Sequence, residues 1–215
     1  MTSRPAPTRR RLTAEARRAA ILEAASTVFS ARGYHSASID DIASEAGVSK
    51  ALIYEHFASK QELHRNLVEG HAAELYERLA AAVPRAEGSA ARLEAGLDAF
   101  FGFVEERRDA WRMLFREAAD PETVALLDRM VAQVTAVVAD LIAAEPGAQS
   151  LPADPDDRRR GINLIAQLLV GGAQNVANWW ADHSEVPRAA LVESAMDFAW
   201  LGLERLSRGE RWTGA

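Results

Sequence analysis

One stretch constrains this chain more than any other: Ser38-Ile-Asp-Asp-Ile-Ala-Ser-Glu-Ala-Gly-Val-Ser-Lys-Ala-Leu-Ile-Tyr-Glu-His-Phe-Ala-Ser-Lys60. It reads as two short helices around a glycine turn, then the start of a third. That is the arrangement by which a small domain sets one helix in a DNA major groove. Ser38 and Asp41 stand three apart ahead of an apolar pattern, so a capping box is expected, with Asp in the usual Glu or Gln place. Ile39, Ile42, Ala43 and Ala46 share one helical face. Gly47 supplies the positive φ of a sharp turn, and Val48, apolar inside it, is expected to plug the core between the helices.

Ser49 caps the next helix, on which Leu52, Ile53 and Phe57 point inward. Ser49, Lys50, Ala51, Tyr54, Glu55 and His56 then face outward. Short side chains at the amino end let the backbone approach base edges. Lys50 reaches a phosphate or a guanine edge, the Ala51 methyl meets a thymine methyl, and Tyr54 and His56 donate to phosphates. Ser59-Lys-Gln-Glu62 is a second capping box. A lysine in that first turn opposes the helix dipole, which is better tolerated beside a phosphate. The alternative is a helical hairpin in any all-α protein. Against it, the outward residues are mostly donors, and Lys50 and Lys60 are the only lysines of a chain whose other bases are arginine.

With Arg18-Ala-Ala-Ile-Leu-Glu-Ala-Ala-Ser-Thr-Val-Phe-Ser-Ala-Arg-Gly-Tyr ahead of it, this segment resembles the amino-terminal domain of the TetR/AcrR family of bacterial transcriptional regulators, from about Arg17 to Leu67. The resemblance implies a homodimer on double-stranded operator DNA, a three-helix DNA-binding domain, and a divergent helical carboxyl domain that binds a small effector. It places DNA contacts on Ser38, Ser49, Lys50, Ala51, Tyr54, His56 and Lys60. Ser38 stands where the family often has Thr and keeps the hydroxyl.

The net charge of −6 hides a split. Residues 1–60 carry nine bases and six acids, a net of +3, and the remaining residues carry −9. Non-specific DNA affinity depends on local basic surface. Arg9-Arg10-Arg11, in a Pro-flanked leader (residues 1–12), is either a solubilising tail or an arm along phosphates or a minor groove. No apolar run of transmembrane length and no secretory leader is present, and cysteine is absent. A cytoplasmic location is the expectation.

The rest reads as all-α. Helices are expected over Thr13–Arg32, with Ile21, Ala25, Val28 and Phe29 buried, then over Lys60–Val83, Ala90–Arg108 and Ala110–Ala119. Asp120-Pro-Glu starts another that reaches Ala144, and a turn-rich connection runs from Glu145 to Asp154. Two long helices follow, Asp156–Asp182 and Pro187–Ser207. The expected division is a helix-turn-helix domain over 13–60 and an effector-binding and dimerisation domain over 61–215. Leu164, Leu168 and Gly171-Gly172-Ala173 are expected to meet Leu191, Ala195, Phe198, Ala199 and Leu203 in a four-helix dimer bundle, with ordinary intrachain packing as the alternative.

The tryptophans, Trp111, Trp179, Trp180, Trp200 and Trp212, all fall in the carboxyl part. Phe100, Val104, Trp111, Phe115 and Trp179 are candidates to line an apolar effector pocket, or plain core. Gln174 and Asn178 are candidate polar anchors there, or are bonded to other amides or to the dimer partner. A hydrophobic or amphipathic effector would suit such a pocket. An enzyme is disfavoured: no Gly-x-Ser-x-Gly, Walker loop or His-Glu-x-x-His occurs, and no His follows an acid by three. No cofactor or metal site is expected. The remaining rival is an architectural DNA-binding protein with a filled carboxyl core. The expected function is a repressor released from its operator by the effector.

Overall fold

The structure is a computed structural model that describes residues 13–116, 121–145, 154–208 and 210, apart from the side chains of residues 113, 114, 116, 206 and 207. The Arg9–Arg11 arm, the Asp120 cap, residues 146–153 of the long connection, the Leu114 side chain and Trp212 lie outside the described residues. Every regular element among the described residues is helical: α1 (Ala14–Ser36), α2 (Ile39–Ala46), α3 (Lys50–His56), α4 (Lys60–Ala82), α5 (Ser89–Glu106), α6 (Arg108–Arg116), α7 (Pro121–Ala144), α8 (Pro155–Trp180) and α9 (Arg188–Ser207), with a 3-10 turn at Val83–Arg85. No helix among them is long and apolar enough to cross a membrane. The chain divides into two compact units, one up to Leu67 and one from Val68 onward.

The first unit is built from caps and one apolar stripe. Thr13 caps α1 by accepting from the Ala16 amide at 3.1 Å. Gly33, at φ +74° and ψ 159°, breaks the helical path near the carboxyl end of α1. Ile21, Ala25, Val28 and Phe29 are buried as the periodicity requires. They pack in a core with Ile42, Ile53, Phe57 and Leu63, four side chains at most 2% exposed. Burying such a side chain contributes roughly 1.5–3 kcal/mol each, so this small core is the main stabilising term of the unit.

The second unit has its core around Phe101, Phe103, Val104, Trp111, Trp180, Leu191 and Val192. Both buried indoles are hydrogen-bonded, Trp111 to the Asn178 side-chain carbonyl at 2.9 Å and Trp180 to the Val186 carbonyl at 2.8 Å. The Arg108 guanidinium lies over the Trp180 ring at 4.9 Å. At the start of α9, Arg188 pairs with Asp98 at 3.1 Å and Glu105 at 3.5 Å on α5. Its Nη1 lies 2.8 Å from where a Cβ of Gly102 would stand, so a side chain there would push the guanidinium aside. A smaller cluster of Ala139, Ile162 and Ala166 joins α7 to α8.

The helices expected over Ala90–Arg108 and Ala110–Ala119 are α5 and α6, with the break between them at Arg107: α5 stops at Glu106 and α6 begins at Arg108. Arg107, at φ −117° and ψ 31°, closes α5, its backbone amide donating to the Phe103 carbonyl at 2.9 Å.

Candidate nucleic-acid interface and effector cavity

The α2–turn–α3 segment forms through local hydrogen bonds that the sequence specifies. The Asp41 amide donates to Ser38 Oγ at 3.1 Å, and the Ser38 amide donates to Asp41 Oδ2 at 3.0 Å, completing the capping box. The Ser38 hydroxyl, then its amide, and also Arg32 at 2.6 Å hold the Asp41 carboxyl below its ordinary pKa, against the opposing effect of burial. Gly47 adopts φ +64° and ψ 33°, and its amide donates to the Ala43 and Ser44 carbonyls. A side chain there would meet no neighbour, so its cost would be backbone strain alone, about 1–2 kcal/mol. Val48 is half-buried in the turn. Ser49 caps α3 through the Leu52 amide at 3.2 Å.

Ile53 and Phe57 are buried and Leu52 is half-buried, which fixes the outer face of α3. Ser49, Lys50, Ala51, Tyr54 and Glu55 are exposed, and His56 is half-buried. Lys50 Nζ donates to Asp40 Oδ2 at 2.8 Å, joining the first residue of α3 to the first turn of α2. Lys60 has a different setting from the open phosphate contact expected of it. Its half-buried ammonium donates to the carbonyls of Tyr34 at 2.8 Å and Ala37 at 3.0 Å, approaches His35 O at 3.5 Å, and lies 4.4 Å over the Tyr34 ring. The break at Gly33 turns these carbonyls out of the helix, and Lys60 satisfies them. The Ser59–Glu62 cap itself is present, with the Glu62 amide on Ser59 Oγ at 3.0 Å and Glu62 Oε2 on the Ala58 amide at 2.6 Å.

The second unit contains a cavity of about 1150 Å³. Its walls are Tyr76, Leu79 and Val83, then Leu93, Gly96, Leu97 and Phe100 of α5, Val134, Val138 and Ile142 of α7, Ile165, Leu169 and Ala173 of α8, and Trp200 and Leu203 of α9. Polar groups are few: Gln133, Glu204, and a cluster in which Arg92 pairs with Glu145 at 2.5 Å and Ser89 donates to the same carboxylate. The Ser89 bond and then Arg92 hold the Glu145 carboxyl below its ordinary pKa. The lining is therefore mostly apolar, with polar side chains gathered at Ser89, Arg92 and Glu145.

Of the seven residues proposed from sequence for the effector pocket, Phe100 alone lines this cavity. Val104 and Trp111 are in the apolar core, and Phe115 packs against it with its ring 4.1 Å from Trp111. Asn178 bonds Trp111, Gln174 is half-buried away from the cavity wall, and Trp179 is 48% exposed, stacked 4.2 Å from the His183 ring. The presumed dimer helices are divided similarly. Leu164, Leu168, Gly171 and Gly172 of α8 and Phe198 of α9 are exposed, and Leu201 and Gly202 extend that face. Leu191 is buried in the core, Ala195 packs against it, and Leu203 faces the cavity.

A capped helix pair whose second helix presents donors around a small-residue amino end is a helix-turn-helix, and it is followed here by a helical unit with an apolar cavity. Residues 21–67 match the family model "Bacterial regulatory proteins, tetR family", and residues 90–202 match "Tetracyclin repressor-like, C-terminal domain". Among curated relatives, the HTH-type transcriptional activator FasR of Mycolicibacterium smegmatis is 33% identical over 91% of this chain and 87% of its own. The HTH-type transcriptional repressor KstR2 of Mycobacterium tuberculosis is 34% identical over 41% of this chain and 44% of its own. Among solved structures, a TetR-like transcriptional regulator from Rhodococcus sp. RHA1 superposes with a TM-score of 0.73 at 29% identity, covering 90% of this chain and 99% of that one.

The chain belongs to the tetR family of bacterial regulatory proteins. It is a DNA-binding transcriptional regulator, and its relatives are regulators of transcription.

Proposed function

We propose that this chain is a cytoplasmic repressor that binds a two-fold operator as a dimer and leaves it when a hydrophobic or amphipathic small molecule occupies the cavity of the second unit. The observation that carries the DNA side is the outer face of α3, where Ser49, Lys50, Ala51 and Tyr54 are exposed beside the Ser38 cap of α2. Ser38, Tyr54 and His56 are assigned to phosphates, and Ser49, Lys50 and Ala51 to base edges. Lys60 is assigned first to holding the Tyr34–Ala37 carbonyls; a phosphate contact through the same ammonium would compete with them.

Repression follows where the operator overlaps a promoter. Of two relatives named above, one is named an activator and one a repressor. The dimer is assigned to the exposed apolar face of α8 and α9, on which Leu164, Leu168, Phe198 and Leu201 are all more than half exposed. The effector acts by binding one state of the dimer better than the other, the favoured state having recognition helices too poorly spaced for both half-sites.

A thermal-shift screen with neutral and charged amphiphiles tests the cavity. A ligand at 100 times its Kd should stabilise the protein by about 2.7 kcal/mol and lower operator affinity. Val134→Trp fills part of the wall and should abolish that shift while the variant still binds DNA. An active compound that shifts Val134→Trp as strongly as the parent protein would place the effector elsewhere. A screen without any active compound would favour an effector-free architectural protein.

A further inference from the structure

Asp40 and Asp41 share the first turn of α2, and their partners differ. Asp41 turns to Ser38 and Arg32, closing the cap. Asp40 turns to Lys50, its Oδ2 2.8 Å from Nζ, with the two side chains 69% and 48% exposed. The Asp40 hydrogen bond, then its charge, raises the Lys50 pKa. A pair this exposed contributes little to folding stability. Its consequence lies in how the face meets a polyanion.

Resting on the DNA-binding reading of α3, we propose that Asp40 is a specificity-determining residue: its carboxylate holds the Lys50 ammonium at the α2–α3 junction, where the remaining donors meet a base edge, and withholds it from phosphates. An ammonium has three donors. Asp40 engages one, and the two left match the O6 and N7 acceptors that guanine presents in the major groove. On an unrelated duplex no such edge is in place, and only the phosphates attract Lys50. They must draw it from Asp40, whose own charge repels them. The same carboxylate therefore weakens non-specific binding while leaving the cognate contact intact, discrimination by penalising the wrong partner. Lys50 and Asp40 act together here as a positioning pair, and the base contact itself belongs to Lys50.

The test uses the full chain with Asp40→Asn, Asp40→Glu and Lys50→Ala. Each is titrated, over a range of salt, onto a duplex selected by the parent protein from random sequence and onto a scrambled duplex of equal length. Asp40→Asn should bind the scrambled duplex about threefold or more tighter, with a log–log salt slope steeper by about one. Cognate affinity should change less, so the ratio of the two affinities falls, and Asp40→Glu should restore it. Melting temperatures should stay together, which a purely structural role for Asp40 would not allow. If Asp40→Asn leaves ratio and slope unchanged while Lys50→Ala weakens cognate binding, the role of Asp40 is overturned and the reading of Lys50 stands. If Lys50→Ala also changes nothing, both are overturned.

Discussion

Phe198→Glu should convert the dimer into a folded monomer. Phe198 is 88% exposed and belongs to neither apolar cluster of the second unit, so its replacement leaves the chain's own core in place. Leu168 at 75%, Leu164 at 65% and Leu201 at 57% exposure lie on the same two helices. A face this apolar calls for cover, and burying each such side chain is worth roughly 1.5–3 kcal/mol. Two-fold symmetry counts every substitution twice. A glutamate buried without a partner costs several kcal/mol, so the dimer constant should weaken by roughly a thousandfold or more. Operator affinity should fall by roughly two orders of magnitude, because a monomer grips one half-site and loses the linkage to the second. Light scattering after size exclusion, with far-UV circular dichroism to confirm folding, reads the first effect, and a gel shift reads the second. A Phe198→Glu protein that remains dimeric would move the interface off this face.

Lys60→Met should destabilise the first unit by about 2–4 kcal/mol. The ammonium satisfies carbonyls that Gly33 turns away from α1, and hydrogen bonds to a charged donor are worth about 1.5–3 kcal/mol each before solvent screening of this half-buried group is counted. Methionine keeps the apolar stem and leaves those carbonyls without their donor. The segment they belong to leads into Ser38, so the α2 cap should loosen with it. Urea unfolding followed by a probe in the first unit measures the loss. The salt dependence of DNA binding separates the two possible roles. A carbonyl clamp predicts lower stability with a nearly unchanged slope. A phosphate contact predicts a slope shallower by about one with unchanged stability.

These two residues also mark where the sequence ceases to be readable. The α2–α3 segment was legible because its determinants are local: Ser38 with Asp41, Gly47 at positive φ, Ser49 with Leu52. The partners of Lys60 are 23 to 26 residues away, and no local pattern brings them to its side. The available signal was Gly33, since a helix broken there must leave carbonyls wanting donors. On α9, apolar residues occupy a broad arc, and periodicity cannot tell the stripe that covers the core from the one left outside. Leu191 and Ala195 took the first place, and Phe198 and Leu201 the second.

The cavity is illegible in the sequence for a related reason. Large aromatic side chains suggested a pocket, yet Trp111 and Phe115 fill space, and Asn178 serves the Trp111 indole. The cavity is walled by aliphatic chains with small residues among them, Ala80, Gly96 and Ala173. A void is set by what is missing from several helices at once, which one strand of sequence does not display.

On the proposed function, α3 reads DNA from a two-fold dimer. Selecting duplexes from random sequence with the full chain, then footprinting the winners, tests it most directly. The expected result is a palindromic site whose half-site centres lie about 34–36 Å apart, protected on one face, with binding lost in Lys50→Ala at that site. Enrichment of no sequence above salt-sensitive background, or a protected site without two-fold symmetry, would contradict it.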